Sequence, residues 1–264
     1  MDNITIKDIA KKAGVSVATV SYVINGINEE RYTKETKQRV LQIVNLYNYK
    51  PSRLARSLAN NKSSNIILLT DKHTSMLQKA ESFDLIRMFG KALEKIGYNL
   101  LIRTHLDATR IDTADAIVCA GIEEERFRRL ARENFVPMLT VDAKINDELF
   151  FQVYQDFEAL MRKGTERFGS DNFSVVLVDT YNETLKADIR GICGDVVFLN
   201  GNGAGGVPGG NIVTVNESVA KLDGAGGREF LLVPALTEKR IDTVIDCYKK
   251  AADHSSVDTH RYLV

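Results

Sequence analysis

Three hydroxyl side chains in the first 33 residues, Thr5, Ser16 and Thr33, each stand directly ahead of a stretch with helical apolar spacing, and Gly14 separates the first two stretches. A hydroxyl in that position accepts a backbone N–H that the first turn cannot otherwise satisfy, and a glycine supplies the left-handed residue that ends a helix. The pattern predicts helices over about Ile6 to Lys12, from Ser16 to about Asn25, and from Thr33 to about Asn48, with Pro51 stopping the third.

Ile6, Ile9, Ala10, Val15, Val20 and Val23 fall at spacings that close a small core, and Val40, Ile43, Val44 and Tyr47 form the inner stripe of the third helix. Val17, Ala18, Ser21 and Tyr22 are left on the outer face of the second helix. Two short helices joined by a tight glycine turn make a helix-turn-helix. The outer face of its second helix can meet base edges in the major groove of double-stranded DNA.

Charge agrees with that reading. Residues 1–62 carry 11 Lys and Arg against 5 Asp and Glu, whereas the remaining 202 carry 24 against 30, so a net charge of zero hides a basic head on an acidic body. A basic head is what phosphate contacts and counterion release require.

The segments ITIKDIAKKAGVSVATVSYVING, ETKQRV and YNYKPSRLARSLANNKSSNIILL, spread over residues 4 to about 69, closely resemble the lac-repressor family of bacterial transcription regulators. The resemblance implies that Val17, Ala18 and Tyr22 read bases, and that Thr5, Ser16, Thr19, Ser21 and Asn25 mostly touch phosphate. It also implies that Ser52 to Asn60 is a hinge helix that orders on operator DNA, with Ala55 and Leu58 entering the minor groove, where a leucine can wedge between base pairs and kink the duplex. One position departs from the family: many members have an Arg in the recognition helix where this chain has Tyr22, and a tyrosine cannot make the bidentate contact to guanine.

Beyond residue 62 the chain changes character. Apolar runs predict strands at about Asn65 to Thr70, Asn99 to Thr104, Ala116 to Ala120, Val136 to Val141, Ser174 to Asp179, Val196 to Leu199, Ile212 to Val215 and Phe230 to Val233. Amphipathic stretches at Phe83 to Ile96, Glu123 to Glu133, Phe157 to Phe168 and Glu238 to Ala252 fit between them, and such alternation predicts a parallel α/β sheet. The two groups of four strands, separated near Ala143 to Gln155, suggest two lobes.

The expected architecture is thus a small all-α helix-turn-helix head (residues 1–50), a hinge and linker (51–62), and an α/β body (63–264) with lobes at about 63–142 and 156–264. By the resemblance the body is two-lobed and periplasmic-binding-protein-like, with a ligand in the cleft, a dimer interface along the lobes, and a second lobe shortened relative to the family. A family Arg that holds the ligand is echoed at Arg190-Gly191-Ile192, while its Asn-Asp pair has no clear match. Asp71 and His73 after the first strand, and Thr140 and Asp142 after the fourth, lie where parallel sheets open their clefts. Asp71, His73, Asp142 and Arg190 are therefore the candidate effector contacts. Phe83 to Ile96, with Met88, Phe89 and Leu93, serves either as a dimer surface or as core.

Several function classes are disfavoured. No apolar run approaches the roughly 20 residues that cross a bilayer, and the polar amino-terminal stretch lacks a signal-peptide pattern. Three cysteines, Cys119, Cys193 and Cys247, have neither pairing number nor metal-ligand spacing, which fits a reducing cytoplasm. His73, His105, His254 and His260 are too scattered for a metal site, and no Ser or Cys sits in a nucleophile setting. Gly201-Asn202-Gly203-Ala204-Gly205-Gly206 satisfies a dinucleotide-binding spacing, but Val207-Pro208-Gly209-Gly210 follow where a helix would have to receive the pyrophosphate. That run, like the Gly224 to Gly227 cluster, reads as a loop.

The expected protein is a dimeric, sequence-specific transcription regulator, a repressor, gripping a pseudo-palindromic operator, with no catalytic residue, metal or cofactor. Two readings of the body stay open: a sensor for a small effector such as a sugar or sugar phosphate, or a dimerisation block that binds no sugar. A Rossmann-type enzyme is a remote third, weakened by the broken glycine pattern. Tyr22→Arg is expected to change base preference more than non-specific affinity, as measured by selection of bound duplexes; unchanged selectivity would contradict the recognition role of position 22.

Overall fold

The computed structural model describes residues 4–47, 49, 63–71, 73–104, 110–201, 206–222 and 228–264. The chain divides into two compact units, Met1–Ser63 and Ser64–Val264.

In the first unit, α1 (Ile6–Ala13), α2 (Val17–Asn25) and α3 (Lys34–Leu46) follow one another, with a short 3-10 turn at Glu29–Arg31 before the third. Each helix begins as its cap dictates. The Oγ1 of Thr5 accepts the Asp8 N–H while the Asp8 carboxylate accepts the Thr5 N–H at 2.9 Å, Ser16 accepts the Thr19 N–H at 3.0 Å, and Thr33 accepts the Thr36 N–H at 3.2 Å. Hydroxyl caps of this kind contribute about 1 kcal/mol each. Gly14 and Gly26 end the first two helices with φ of 66° and 64°, the left-handed region that favours glycine.

Ile9, Ala10, Ala13, Val20, Val23 and Val40 form the buried centre of the head, with Ile6, Val15, Ile43, Val44 and Tyr49 packed around it. One expectation fails. The third helix ends at Leu46, and Tyr47 is exposed, its hydroxyl accepting a hydrogen bond from Lys12 at 3.0 Å; Tyr49, two residues on, packs against the core instead. Helical periodicity carries a side chain inward only while the helix lasts, and this one stops short.

The second unit is α/β with two parallel sheets. Its elements are β1 (Asn65–Thr70), α4 (Met76–Lys95), β2 (Asn99–Arg103), β3 (Ala116–Ala120), α5 (Glu124–Glu133), β4 (Met138–Val141) and β5 (Phe151–Tyr154). They continue as α6 (Phe157–Phe168), β6 (Ser174–Val178), α7 (Glu183–Cys193), β7 (Val196–Leu199), β8 (Asn211–Thr214), α8 (Glu217–Ala220), β9 (Glu229–Leu232), α9 (Glu238–Ala252) and β10 (Arg261–Leu263). The first sheet has the order β10-β5-β4-β3-β1-β2 and the second β7-β6-β8-β9. Ile66 and Leu68 face the same side of the first sheet, where α4 and α9 cover them with Phe89, Leu93, Val244 and Ile245; Ile67 and Leu69 face the other side, against Phe127 and Leu130 of α5. Helices on both faces are what an all-parallel sheet requires.

Three differences from the sequence expectation shape the cleft. Phe151–Tyr154 is a buried strand of the first sheet, hidden in the sequence by Gln152, whose side chain accepts the Ile145 N–H at 2.8 Å and donates to the Asp147 carbonyl at 2.9 Å. The chain end, Arg261–Leu263, pairs with that strand, and α9 covers the same sheet, so residues after about 237 return to the first lobe instead of completing the second. Helix α4 starts a full two turns before the expected Phe83, at a capping box formed by Ser75 and Gln78. On it Phe89 and Leu93 are core residues, whereas Met76 and Phe83 are exposed.

Candidate functional site

The head presents one candidate surface. Val20 and Val23 are held in the core, and this fixes the rotation of α2 so that Val17 and Ala18 are exposed and Ser21 and Tyr22 half-exposed on the opposite side. Val17 is 41% exposed, an apolar side chain held in solvent. No residue of α2 is charged. The Ser16 hydroxyl caps the helix and lies 2.9 Å from the Thr19 hydroxyl, which clusters two polar side chains at the positive end of the helix dipole, where anions bind. Thr5 sits at the equivalent end of α1, its two hydrogen bonds to Asp8 holding that carboxyl below the usual carboxylate range. Asn25 is the last residue of α2. The remaining DNA candidates, Ala55 and Leu58, lie outside the described residues, as do His105 and most of both glycine clusters.

The body presents a second candidate, a cavity of about 160 Å³ between the carboxyl ends of the two sheets. Three of the four effector candidates line it. Asp71 follows β1 and is ion-paired with Arg126 of α5. His73 accepts from or donates to the Ser82 hydroxyl at 2.5 Å through Nε2, while its Nδ1 is buried with no hydrogen-bond partner among the described residues. Burial, and then the nearby Lys79, push the His73 ring below the ordinary histidine range, which favours the neutral imidazole. Asp142 follows β4 in a left-handed conformation, φ 51°, and pairs with the guanidinium of Arg240.

Arg190, the fourth candidate, is not part of this lining. It is exposed near the end of α7, its guanidinium 5.2 Å from the centre of the Phe198 ring, which itself lines the cavity. The arginine in the cleft is instead Arg240, only 1% exposed, which also donates to the Ala235 carbonyl at 3.1 Å. Its signal in the sequence is a charge on an otherwise apolar helical stripe, since Arg240, Val244 and Cys247 recur at helical spacing on α9.

Sequence reasoning also missed the residues that join the lobes. Gln78 of α4 donates to the Asp179 carbonyl at 3.2 Å, and Asn182 at the start of α7 donates to the Ile122 and Lys144 carbonyls at 2.8 and 3.1 Å. Glu81 of α4 accepts from the Asn216 amide at 3.0 Å and from Ser218 at the start of α8. These are neutral or charge-assisted contacts between distant segments, with no local pattern to announce them.

Every carboxylate lining the cavity is engaged: Asp71 by Arg126, Glu81 by Asn216 and Ser218, Asp142 by Arg240, and Asp179 by Lys186 at 2.6 Å. None is poised as a free general base. Among the buried side-chain polar atoms without a hydrogen-bond partner among the described residues, four belong to residues that line the cavity: His73 Nδ1, Gln155 Oε1, Arg240 Nε and Asp179 Oδ1, the last of them ion-paired with Lys186. They sit in a cavity whose walls include Phe157, Leu185 and Ile189. Uncharged or shared donors and acceptors beside an apolar wall suit a small neutral polar ligand. Among the described residues no group of three or more His, Cys, Asp or Glu could hold a metal ion, and no helix is long and apolar enough to cross a membrane.

Comparison with known proteins gives the head and the fold. Residues 5–52 match the family model described as bacterial regulatory proteins, lacI family. The HTH-type transcriptional repressor PurR of Histophilus somni is 34% identical over 152 residues, 52% of this chain and 43% of that protein. The fructose operon regulatory protein of Vibrio cholerae is 30% identical over 196 residues, 68% of this chain and 58% of that one. The chain thus spans about half the length of the curated relatives it matches. Among solved structures, the lac repressor dimer bound to operator and the anti-inducer ONPF matches with a TM-score of 0.66 at 15% identity, over 100% of this chain and 96% of that one, a likeness of fold.

The Asp142–Arg240 pair is asymmetric, because the Asp142 side chain is 49% exposed and that of Arg240 1%. Removing the aspartate strands a buried guanidinium, whereas removing the arginine leaves a carboxylate that water can reach. Asp142→Ala is therefore expected to destabilise the body by about 3–5 kcal/mol, and Arg240→Met by about 1 kcal/mol, the share of the lost Ala235 hydrogen bond. Chemical denaturation followed by circular dichroism checks the order; equal losses would contradict it.

Proposed function

We propose, from a head that belongs to the lacI family of bacterial regulatory proteins, that this chain is a sequence-specific DNA-binding transcription regulator, a repressor, which grips a pseudo-palindromic operator as a dimer. The observation that carries the reading is the seating of α2: two buried valines on one side, and an uncharged, solvent-facing row of Val17, Ala18, Ser21 and Tyr22 on the other. An uncharged row of small and apolar side chains can approach base edges closely, where Val17 and Ala18 suit thymine methyl groups. The net positive charge of residues 1–62 supplies the non-specific attraction.

One head touches too little DNA for genomic selectivity, and two-fold pairing doubles the contacts. The relation to a lac repressor dimer on operator supports that stoichiometry here, and so do two exposed apolar side chains on α4, Met76 and Phe83. In this reading the chain works in the cytoplasm, where its operator is, and it performs no chemistry.

The body is a sensor. The unpartnered His73 Nδ1, Gln155 Oε1 and Arg240 Nε favour a bound effector over a purely dimerising body. Because the acids of the cavity are already neutralised, a neutral sugar or similar polyhydroxylated molecule fits better than a sugar phosphate. Ligand binding between lobes changes their separation and with it the affinity for operator.

The full chain, titrated with a short palindromic duplex over a range of salt, is expected to bind with an affinity whose logarithm falls linearly with the logarithm of salt concentration, by about 0.9 for each phosphate neutralised. Neutral sugars that raise the melting temperature are expected to alter that affinity. No duplex binding at low salt would overturn the regulator reading, and operator affinity indifferent to a bound sugar would overturn the sensor.

A further inference from the structure

The recognition surface lacks a cation of its own, yet one is delivered to it from elsewhere. Helix α2 ends at Gly26, and Asn28, in a left-handed conformation with φ 51°, turns the chain sharply into the 3-10 turn Glu29–Arg31. Asparagine is among the few residues that adopt that conformation readily. Tyr32, immediately after the turn, packs on the head core and anchors it. Arg31, the last residue of the turn, is exposed, while Tyr32, in an extended conformation, packs inward. The guanidinium of Arg31 then lies 5.9 Å from the centre of the Tyr22 ring.

Competition for that guanidinium is weak. Glu29 is taken by Lys37, whose ammonium donates at 2.8 Å and holds the Glu29 carboxyl below its usual range. Glu30 approaches Arg31 only to 3.9 Å, and both side chains are well exposed, at 72% and 64%. An ion pair of that kind contributes next to nothing. The guanidinium of Arg31 is therefore free to lie within cation–π reach of the one aromatic residue of the recognition helix.

We infer that Arg31 is a specificity-determining residue of the operator complex: held beside the Tyr22 ring, it supplies from the following turn the bidentate donor to guanine O6 and N7 that the recognition helix itself does not carry. Tyr22 is its positioning residue, attracting the guanidinium through its ring face. The inference rests on the regulator reading above and adds to it a base, guanine, and the side chain that reads it.

Selection from a library of duplexes with randomised half-sites, performed with the full chain, tests this. The unaltered protein is expected to prefer guanine at one position in each half-site. Arg31→Ala is expected to weaken that one preference by about 5- to 150-fold, the range for losing a bidentate contact, with the other positions unchanged. Arg31→Lys should not restore it, since an ammonium lacks the fork, and Tyr22→Phe should keep it, since the ring face remains. Arg31 is exposed, so an unchanged circular dichroism melting curve is expected for both of its variants.

A uniform loss of affinity for all sequences, with a salt dependence reduced by about one phosphate, would make Arg31 a backbone clamp and overturn the inference. Unaltered selectivity in Arg31→Ala would overturn it too. If the unaltered protein selects no duplex at all, the regulator reading falls, and this inference with it.

Discussion

The head depends on two valines. Val20 and Val23 are the residues of α2 that enter the buried centre of the small unit, where Ile9, Ala10, Ala13 and Val40 receive them. A core this small tolerates no rotation of α2, because turning the helix by one residue would lift a valine into water and bring a polar or larger side chain inside. Burying each such side chain contributes about 1.5 kcal/mol or more. The same contacts therefore stabilise the unit and aim Val17, Ala18, Ser21 and Tyr22 outward. The caps then set where the helix begins, and Gly14 and Gly26 set where its neighbours can turn.

The head was legible in the sequence because its determinants are local. Thr5, Ser16 and Thr33 each act within three residues of their own position, and the glycines act at their own dihedral angles. The body was legible where strands are uniformly apolar, as at Ile66 to Leu69, and illegible where a buried polar residue broke the run. Gln152 is the clearest case: it is fully buried, yet its amide is satisfied by backbone groups five and seven residues away, so a core strand reads as loop. The return of α9 and Arg261–Leu263 to the first sheet is a property of pairing between distant segments, which no window of sequence contains.

The cleft followed a similar division. That Asp71, His73 and Asp142 line the cavity is legible because the ends of parallel strands mark where a cleft opens. Arg240 is not legible because a charged residue near a helix start reads as solvated surface, and the expectation for Arg190 rests on a short motif that resembles a ligand-holding one. In the structure Asp142 is partnered by Arg240: a carboxylate at the strand end calls for a cation, and α9 brings one from 98 residues away. The pairs that neutralise the lining acids also lower the cost of having four carboxylates around one cavity, since like charges in a poorly hydrated space would otherwise repel. What is left for a ligand is a set of uncharged or shared hydrogen-bonding atoms against apolar walls, together with interlobe bonds such as Gln78 to Asp179 that hold the lobes close.

The central claim is that the outward face of α2 lies against bases in the major groove. A photo-crosslinking group placed at Ala18 in the full chain, and for comparison at the exposed Gln42 of α3, measures this directly on a selected duplex. Labelling of bases in each half-site from position 18, with none from position 42, is the predicted result; base labelling from position 42 and none from position 18 would contradict the account.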